Sequence, residues 1–448
     1  MEDTIAAIAT AQGVGAISII RVSGPMAISI VSDIFSNKNF FDAPSHTIHY
    51  GKIYDDDVID EVLVSLMRAP KTYTREDVVE INAHGGISTT NKILELLLVK
   101  GCRLAEPGEF SKRAFLNGRI DLTEAEGIMD LINAKTDVSR KMAINQVGGK
   151  VSSLIRNLRN DLASIISNIE VNIDYPEYED TPLVTNEMIR SSLSDLSLKV
   201  NNILSESKNG EILKDGINTV IIGKPNVGKS SLLNRLLGAE KAIVTDIRGT
   251  TRDSIEARCV LDNIVLNLID TAGIRDTSDV VEKIGVNKSI ELIDKASLIL
   301  FVLNYNEKFD EEDEKILSYL GNKNYISIIN KIDLPKVIDD SNLKNKVYVS
   351  ALNDDNISGV RDKIKELFNL SEIETADLTY LTSARSEAIL RNVLSLISSV
   401  ENGINSNVPI DMIEIDLKSI WNLLGEIIGE TYTDELLDEI FSRFCVGK

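Results

Sequence analysis

Gly223-Lys224-Pro225-Asn226-Val227-Gly228-Lys229-Ser230 has the spacing G-x-x-x-x-G-K-S, and that spacing can hold a polyphosphate. The glycines let the backbone curl until its N–H groups face anionic oxygens, and a following helix adds its positive end. Lys229 then reaches the terminal phosphates, and the Ser230 hydroxyl is a ligand for Mg²⁺. Asn226, Val227, Gly228 and Ser231 complete the lining. The flanks agree: Thr219 to Ile222 reads as a buried strand and Ser231 to Leu237 as a helix.

Three further motifs follow in order. Asp270-Thr271-Ala272-Gly273 closes the apolar run Ile264 to Ile269; its Asp can hold Mg²⁺ through water and its Gly N–H can meet a γ-phosphate. Asn330-Lys331-Ile332-Asp333 closes Tyr325 to Ile329. Asp333 offers two acceptors to the N1–H and exocyclic amine of guanine, donors that adenine lacks, and such readout discriminates by about 10⁴-fold. Ser350-Ala351, at the next strand end, would close over the base. Between loop and Asp270 lies Asp246-Ile247-Arg248-Gly249-Thr250-Thr251-Arg252-Asp253, where a switch segment belongs, and Thr251 supplies a second Mg²⁺ hydroxyl. Together the four specify a GTP site. Ile274 follows the Asp-Thr-Ala-Gly motif where switch GTPases often carry a water-orienting Gln, so the water-orienting group and a positive charge must come from elsewhere. Asp276, Asp279, Glu282 and Glu291 are the acids in reach, and spacing does not choose among them.

These motifs sit in a chain of 448 residues, too long for one core. Its 43% hydrophobic and 26% charged content is that of a globular protein. Cys102, Cys259 and Cys445 are too few and too scattered for a disulfide framework and fit a reducing, cytoplasmic setting. Three histidines without a C-x-x-C make a zinc site improbable, and His46 and His49 are expected on one face of a strand. No apolar run reaches membrane-spanning length, and the start, with Glu2 and Asp3, has neither signal- nor transit-peptide character. A net charge of −21 argues against tight, sequence-indifferent nucleic-acid binding by this chain alone.

Residues 1–120 read as an α+β domain. Strands are expected at Ala16 to Val22 and Val78 to Asn82, a hairpin at His46 to Tyr54 and Val58 to Met67, and a helix from Thr89 to Val99. Helical periodicity takes over at 121–214, with a capping box at Thr123 and Glu126 and a long amphipathic helix from Val147 to Ile169. Residues 215–370 alternate strand and helix, the signature of a doubly wound sheet, and 371–448 are helical again. The fold expected is therefore multidomain: an α+β domain, then a helical domain interrupted by an inserted P-loop nucleotide domain.

With Asn226 in the loop, Asp246 to Asp253, Asp270 to Arg275 and the terminal Cys445-Val446-Gly447-Lys448, the whole chain resembles the MnmE (TrmE) family of tRNA modification GTPases, within the TrmE-Era-EngA-like GTPases. The resemblance implies a K⁺-stimulated GTPase in which Asn226, Thr245, Ile247 and Thr250 ligate K⁺ beside the phosphates. It assigns water positioning to Glu282, in Ser278-Asp279-Val280-Val281-Glu282-Lys283-Ile284-Gly285. It further implies an N-terminal domain that dimerises and binds a tetrahydrofolate one-carbon derivative (5-formyl- or methylene-tetrahydrofolate). Arg21, Glu80, Arg119 and Lys448 would contact that carrier, Arg119 standing where the family commonly has Lys. Cys445 is open between a nucleophilic thiol and a tail-positioning residue.

The implied activity is GTP hydrolysis coupled to adding an aminomethyl or carboxymethylaminomethyl group at C5 of the wobble uridine of certain tRNAs. The implied assembly is a homodimer joined to an FAD-containing MnmG-like partner as a heterotetramer, with tRNA held largely by the partner and no membrane. The alternative is a regulatory GTPase switch in ribosome assembly, for which a basic RNA-binding appendage would be expected.

Overall fold

The computed structural model describes residues 3–174, 185–238, 255–261, 263–269, 292–368, 370 and 378–448. Two compact units emerge. One comprises Met1–Met129, Gln146–Leu193 and Arg391–Lys448; the other comprises Asp130–Asn145 and Ser194–Leu390.

The first unit opens with β1 (Ile5–Ile8), β2 (Ile17–Ser23), α1 (Ala27–Ile34), β3 (Thr47–Tyr54), β4 (Val58–Met67), β5 (Val78–His84), α2 (Ile87–Val99) and β6 (Arg103–Leu104). The strands form one sheet in the order β3-β4-β5-β2-β1-β6, antiparallel except for the β1–β6 edge. Alternation decides which face each side chain takes. In β2, Ile20 and Val22 point into the core with Val31, Ile81, Ile93 and Leu97. Ile19 and Arg21 therefore take the other face, and in β5 Glu80 does the same. The expected hairpin is present, Thr47 to Tyr54 pairing with Val58 to Leu66.

α3 (Glu109–Leu116) and α4 (Leu122–Asn133) follow, then α5 (Asp137–Val147), α6 (Lys150–Asp174) and α7 (Asn186–Asp215). α6 buries Val151, Ile155, Leu158, Leu162, Ile166 and Ile169, steps of three and four that make one stripe. Each such side chain, fully buried, contributes on the order of 1.5–3 kcal/mol.

The second unit carries β7 (Ile217–Ile222), α8 (Lys229–Gly238), β8 (Ile255–Leu261), β9 (Ile264–Ile269), β10 (Leu298–Asn304), α9 (Glu311–Leu320), β11 (Tyr325–Asn330), β12 (Lys346–Val349) and α10 (Ile357–Leu367). Its sheet runs β12-β11-β10-β7-β9-β8, parallel throughout except for β8. β9, β10 and β11 are buried at every position, as strands covered on both faces must be. The chain ends with α11 (Ala384–Asn405), α12 (Ile410–Ile428) and α13 (Asp434–Ser442). α6 packs on α12, whose Ile413, Leu417, Ile420, Leu424 and Ile427 are buried. The fold is thus multidomain, a mixed α+β domain and helices accompanying a P-loop nucleotide domain. Among the described residues no helix is long and apolar enough to cross a membrane.

Three local expectations are corrected. The capping box of α4 is made by Asp121 and Glu124, not Thr123 and Glu126. Asp121 Oδ1 accepts from the Glu124 N–H at 3.0 Å, and Glu124 Oε2 accepts from the Asp121 N–H at 2.9 Å; the helix begins at Leu122, so its unpaired N–H groups lie over Asp121. The helix expected from Val147 to Ile169 breaks at Gly149, whose φ of +77° ends α5 and lets α6 begin. His46, at φ +63°, precedes β3 rather than sharing a strand face with His49.

Candidate functional site

The phosphate loop runs from the end of β7 to the start of α8. Backbone geometry there demands its residue types: Gly223 and Gly228 have φ of +147° and +98°, and Asn226 is left-handed at +63°. A Cβ on Gly223 would lie 2.2 Å from the Val302 carbonyl oxygen, and one on Gly228 would lie 2.2 Å from Asn330 Nδ2. Only glycine fits either position. Val227 is buried while Asn226 is exposed at the loop's crest.

Lys229 folds back over its own loop, and Nζ donates to the carbonyls of Gly223 at 2.7 Å and Lys224 at 2.6 Å. Burial holds its pKa below the ordinary lysine value, with the Glu312 carboxylate opposing that shift. An ammonium so poorly solvated gains much from an anionic partner. Ser230 stands one residue into α8, where a hydroxyl is a hard oxygen donor suited to Mg²⁺. Cradle and donor chemistry both fit a magnesium-bound nucleotide. Ser231 is the exposed next residue of the helix.

The segment from Asn330 to Asp333 is tied to the loop through one side chain. Asn330 Nδ2 donates to the Val227 carbonyl at 2.9 Å, while its Oδ1 accepts from the Ala351 N–H at 3.0 Å. Lys331 follows with φ +69°, turning the chain so that Asp333 meets Ser350. Ser350 Oγ donates to Asp333 Oδ1 at 2.5 Å. Arg235, on α8, donates to the carbonyls of Ala351 at 2.9 Å and Leu352 at 2.8 Å. Loop, Asn330–Asp333 and Ser350–Ala351 all lie at the carboxyl ends of parallel strands, the edge at which such sheets bind ligands. Thr245, Asp246, Ile247, Arg248, Gly249, Thr250, Thr251, Asp270, Thr271, Ala272, Gly273 and Glu282 lie outside the described residues, as do Asp276, Asp279 and Glu291.

In the other unit, Arg21, Glu80, Arg119 and Lys448 gather round two rings. Arg21 and Glu80 are cross-strand partners on β2 and β5, bridged at 2.8 Å with both side chains about one-fifth exposed. The Arg21 guanidinium lies 5.6 Å from the Phe110 ring and 6.0 Å from the Tyr73 ring, and Arg119 lies 4.9 Å from Tyr73. Tyr73 is held by a 2.7 Å hydrogen bond with Ser111. The fully buried Arg113 anchors α3 beneath Phe110, bonding the Asp3 carbonyl at 3.0 Å, Glu76 at 3.1 Å and Glu109 at 3.0 Å. No spacing in the sequence marks Tyr73 or Phe110. For Arg113 the i, i+4 spacing from Glu109 is the one available signal.

The tail completes this cluster. The N–H groups of Gly108 and Phe110 donate to the carbonyls of Cys445 at 3.3 Å and Lys448 at 3.1 Å. Arg21 donates to the Gly447 carbonyl at 3.0 Å. Gly447 passes so close to β1 that a Cβ would lie 2.6 Å from the Ile8 carbonyl oxygen. Burial, with Arg21 adjacent, lowers the pKa of Lys448. Cys445 is exposed and unpaired in any disulfide. Two guanidiniums, a carboxylate, an ammonium and two rings form a donor set that suits a flat, polar, anionic heterocycle such as a folate.

Residues 4–119 match a family model described as GTP-binding protein TrmE N-terminus, and residues 122–445 match one described as MnmE helical domain. The tRNA modification GTPase MnmE of Streptococcus thermophilus is 49% identical over 450 residues, covering all of this chain and 98% of that protein. Proteins of the same name from Listeria welshimeri and Bacillus cereus are each 50% identical, over 454 and 455 residues, with all of this chain and 99% of each covered. Among solved structures, Aquifex aeolicus Era bound to GDP·AlF4⁻ is 25% identical at a TM-score of 0.24, covering 40% of this chain and 66% of that one.

Proposed function

The chain belongs to the MnmE family of tRNA modification GTPases, a magnesium-dependent class of GTP hydrolase, and from that premise we propose a fuller reaction for it. It couples K⁺-stimulated GTP hydrolysis to the addition of an aminomethyl or carboxymethylaminomethyl group at C5 of the wobble uridine of certain tRNAs. The carbon comes from a tetrahydrofolate one-carbon derivative, 5-formyl- or methylene-tetrahydrofolate, and an FAD-containing MnmG-like protein is the partner. One observation carries the reading: a single chain has a GTPase phosphate loop and, separately, the cluster of Arg21, Glu80, Arg119 and Lys448 round Tyr73 and Phe110.

At the nucleotide, the loop N–H groups and Lys229 hold the phosphates, Ser230 and Thr251 serve Mg²⁺, and Asp333 reads guanine through its carboxylate. Asn226, Thr245, Ile247 and Thr250 would hold K⁺, which would supply the positive charge that another GTPase obtains from arginine. Glu282 orients the attacking water in place of the glutamine that Ile274 cannot mimic. At the other cluster, Glu80 accepts from amine-like donors of the heterocycle, Arg21 and Arg119 pair with its anionic groups, and Tyr73 and Phe110 exclude water. Cys445 acts as a tail-positioning residue, its carbonyl already engaged by Gly108.

The protein works as a homodimer through its N-terminal domain. Support comes from the outward face of β3 and β4, where Tyr50 and its cross-strand partner Leu63 are 66% and 48% exposed. The net charge of −21 supports a division of labour in which the partner holds most of the tRNA.

The test is reconstitution. Purified chain, FAD partner, GTP, K⁺, folate donor and unmodified tRNA should together yield the modified wobble uridine. Formation of product at the full rate without GTP, or by an Arg21→Ala chain, would count against the reading.

A further inference from the structure

Lys224, the second residue of the phosphate loop, does not face the phosphate cradle. Its Nζ donates to Asp310 Oδ2 at 2.7 Å and lies 2.7 Å from Asp313 Oδ2, and the side chain is nearly buried. Both acids form the N-terminal capping box of α9. Asp310 Oδ1 accepts from the Glu312 and Asp313 N–H groups at 3.1 and 3.2 Å, and Asp313 Oδ2 accepts from the Asp310 N–H at 3.3 Å. Asp313 is only 2% exposed, and its Oδ1 has no hydrogen-bond partner. Burial pushes the Asp313 carboxyl above its ordinary value, although Lys224 pulls it down. Burial would lower Lys224, and the two carboxylates override it and hold its pKa up.

The neighbourhood makes this arrangement matter for the nucleotide. Every residue of the first turn of α9 is acidic: Glu311, Glu312, Asp313 and Glu314. Glu312 already acts on the Lys229 ammonium. Asp313 is the buried member of this turn, and its field is weakly screened, whereas Glu311, Glu312 and Glu314 are exposed and their field is screened by salt. Residue 224 joins the two lysines, because its carbonyl receives Lys229 Nζ while its own ammonium engages α9.

We propose that Lys224, held by Asp310 and Asp313, is a positioning residue of the GTPase. It fixes the carbonyl that seats Lys229 and screens the acidic start of α9 from the phosphates. The inference rests on the loop being the GTP site. It makes nucleotide affinity depend on a residue that does not touch the nucleotide, and more so as the ligand carries more charge.

The test measures binding of GDP and a non-hydrolysable GTP analogue to the full chain with Mg²⁺, at low and high salt. Lys224→Met should weaken the analogue about tenfold and GDP less, and the gap should shrink at high salt. Lys224→Arg should stay near wild type. Adding Asp313→Asn to Lys224→Met should recover most of the loss, because the buried carboxylate that lost its partner is gone. Equal losses for both nucleotides with no recovery would mark a merely structural role and overturn the proposal, as would no loss. Should Lys224→Met not fold, Lys224→Gln takes its place with the same readings. A wild-type chain that bound neither nucleotide would instead remove the GTP-site reading itself.

Discussion

Asn330 and Val227 lie 103 residues apart, and the Asn330 side-chain amide donates to the Val227 carbonyl at 2.9 Å. Its oxygen takes the Ala351 N–H. One buried amide thus fixes the distance between the loop at Val227 and the segment at Ala351. Asn330→Ala leaves two buried backbone groups without partners, a cost of about 1–3 kcal/mol each. GDP affinity should fall at least tenfold by calorimetry with the fold retained in circular dichroism. Affinity within twofold of wild type would remove Asn330 from this role.

Asp333→Asn keeps one acceptor for the N1–H and sets a donor opposite the 2-position, an amine in guanine and a carbonyl in xanthine, while its partner Ser350 can still bond the side chain. Preference should move from guanine towards xanthine nucleotides by several orders of magnitude. Undiminished GTP selectivity in competition binding would refute Asp333 as the base reader.

Gly447→Ala sets a Cβ 2.6 Å from the Ile8 carbonyl oxygen in a residue whose φ is +92°. The tail should detach, and affinity for 5-formyl-tetrahydrofolate should drop tenfold or more while GTP binding is unchanged. Equal folate affinity in fluorescence titration would show that the tail is no part of that site.

Acid should loosen the network beneath Phe110. Burial alone would raise the Glu109 pKa, but hydrogen bonds from Arg103, the Glu106 N–H and Arg113 hold it below the ordinary 4.5. A carboxylate depressed in the folded state contributes stability above its unfolded pKa and loses it as pH falls through the folded value. The unit that contains β1 to β6 should therefore lose thermal stability below about pH 4.5, and Glu109→Gln should flatten that slope while lowering stability at pH 7. An identical pH profile in the variant would contradict the assignment.

The residues of the chain that chemistry constrains most tightly were the most legible. Gly223, Gly228 and Lys229 are fixed by the shape of a polyphosphate, so their spacing alone implied the cradle. Arg21, Glu80, Arg119 and Lys448 were reached only through family resemblance, because 427 positions separate Arg21 from Lys448 and only folding brings them together. The roles of Tyr73, Phe110 and the Lys224 side chain are not legible, since their partners lie on other elements. β1, with the short run Ile5-Ala6-Ala7-Ile8, offers too little periodicity to read. The α4 cap was misplaced by two residues because both Asp121 and Thr123 are good cap residues, and only the helix start distinguishes them.

The most direct measurement is mass-spectrometric nucleoside analysis of tRNA from cells lacking this protein, restored with the intact chain or with Lys229→Ala. The account predicts that C5-modified wobble uridines disappear and return only with the intact chain. Normal nucleosides in the deletion, or full restoration by Lys229→Ala, would contradict it.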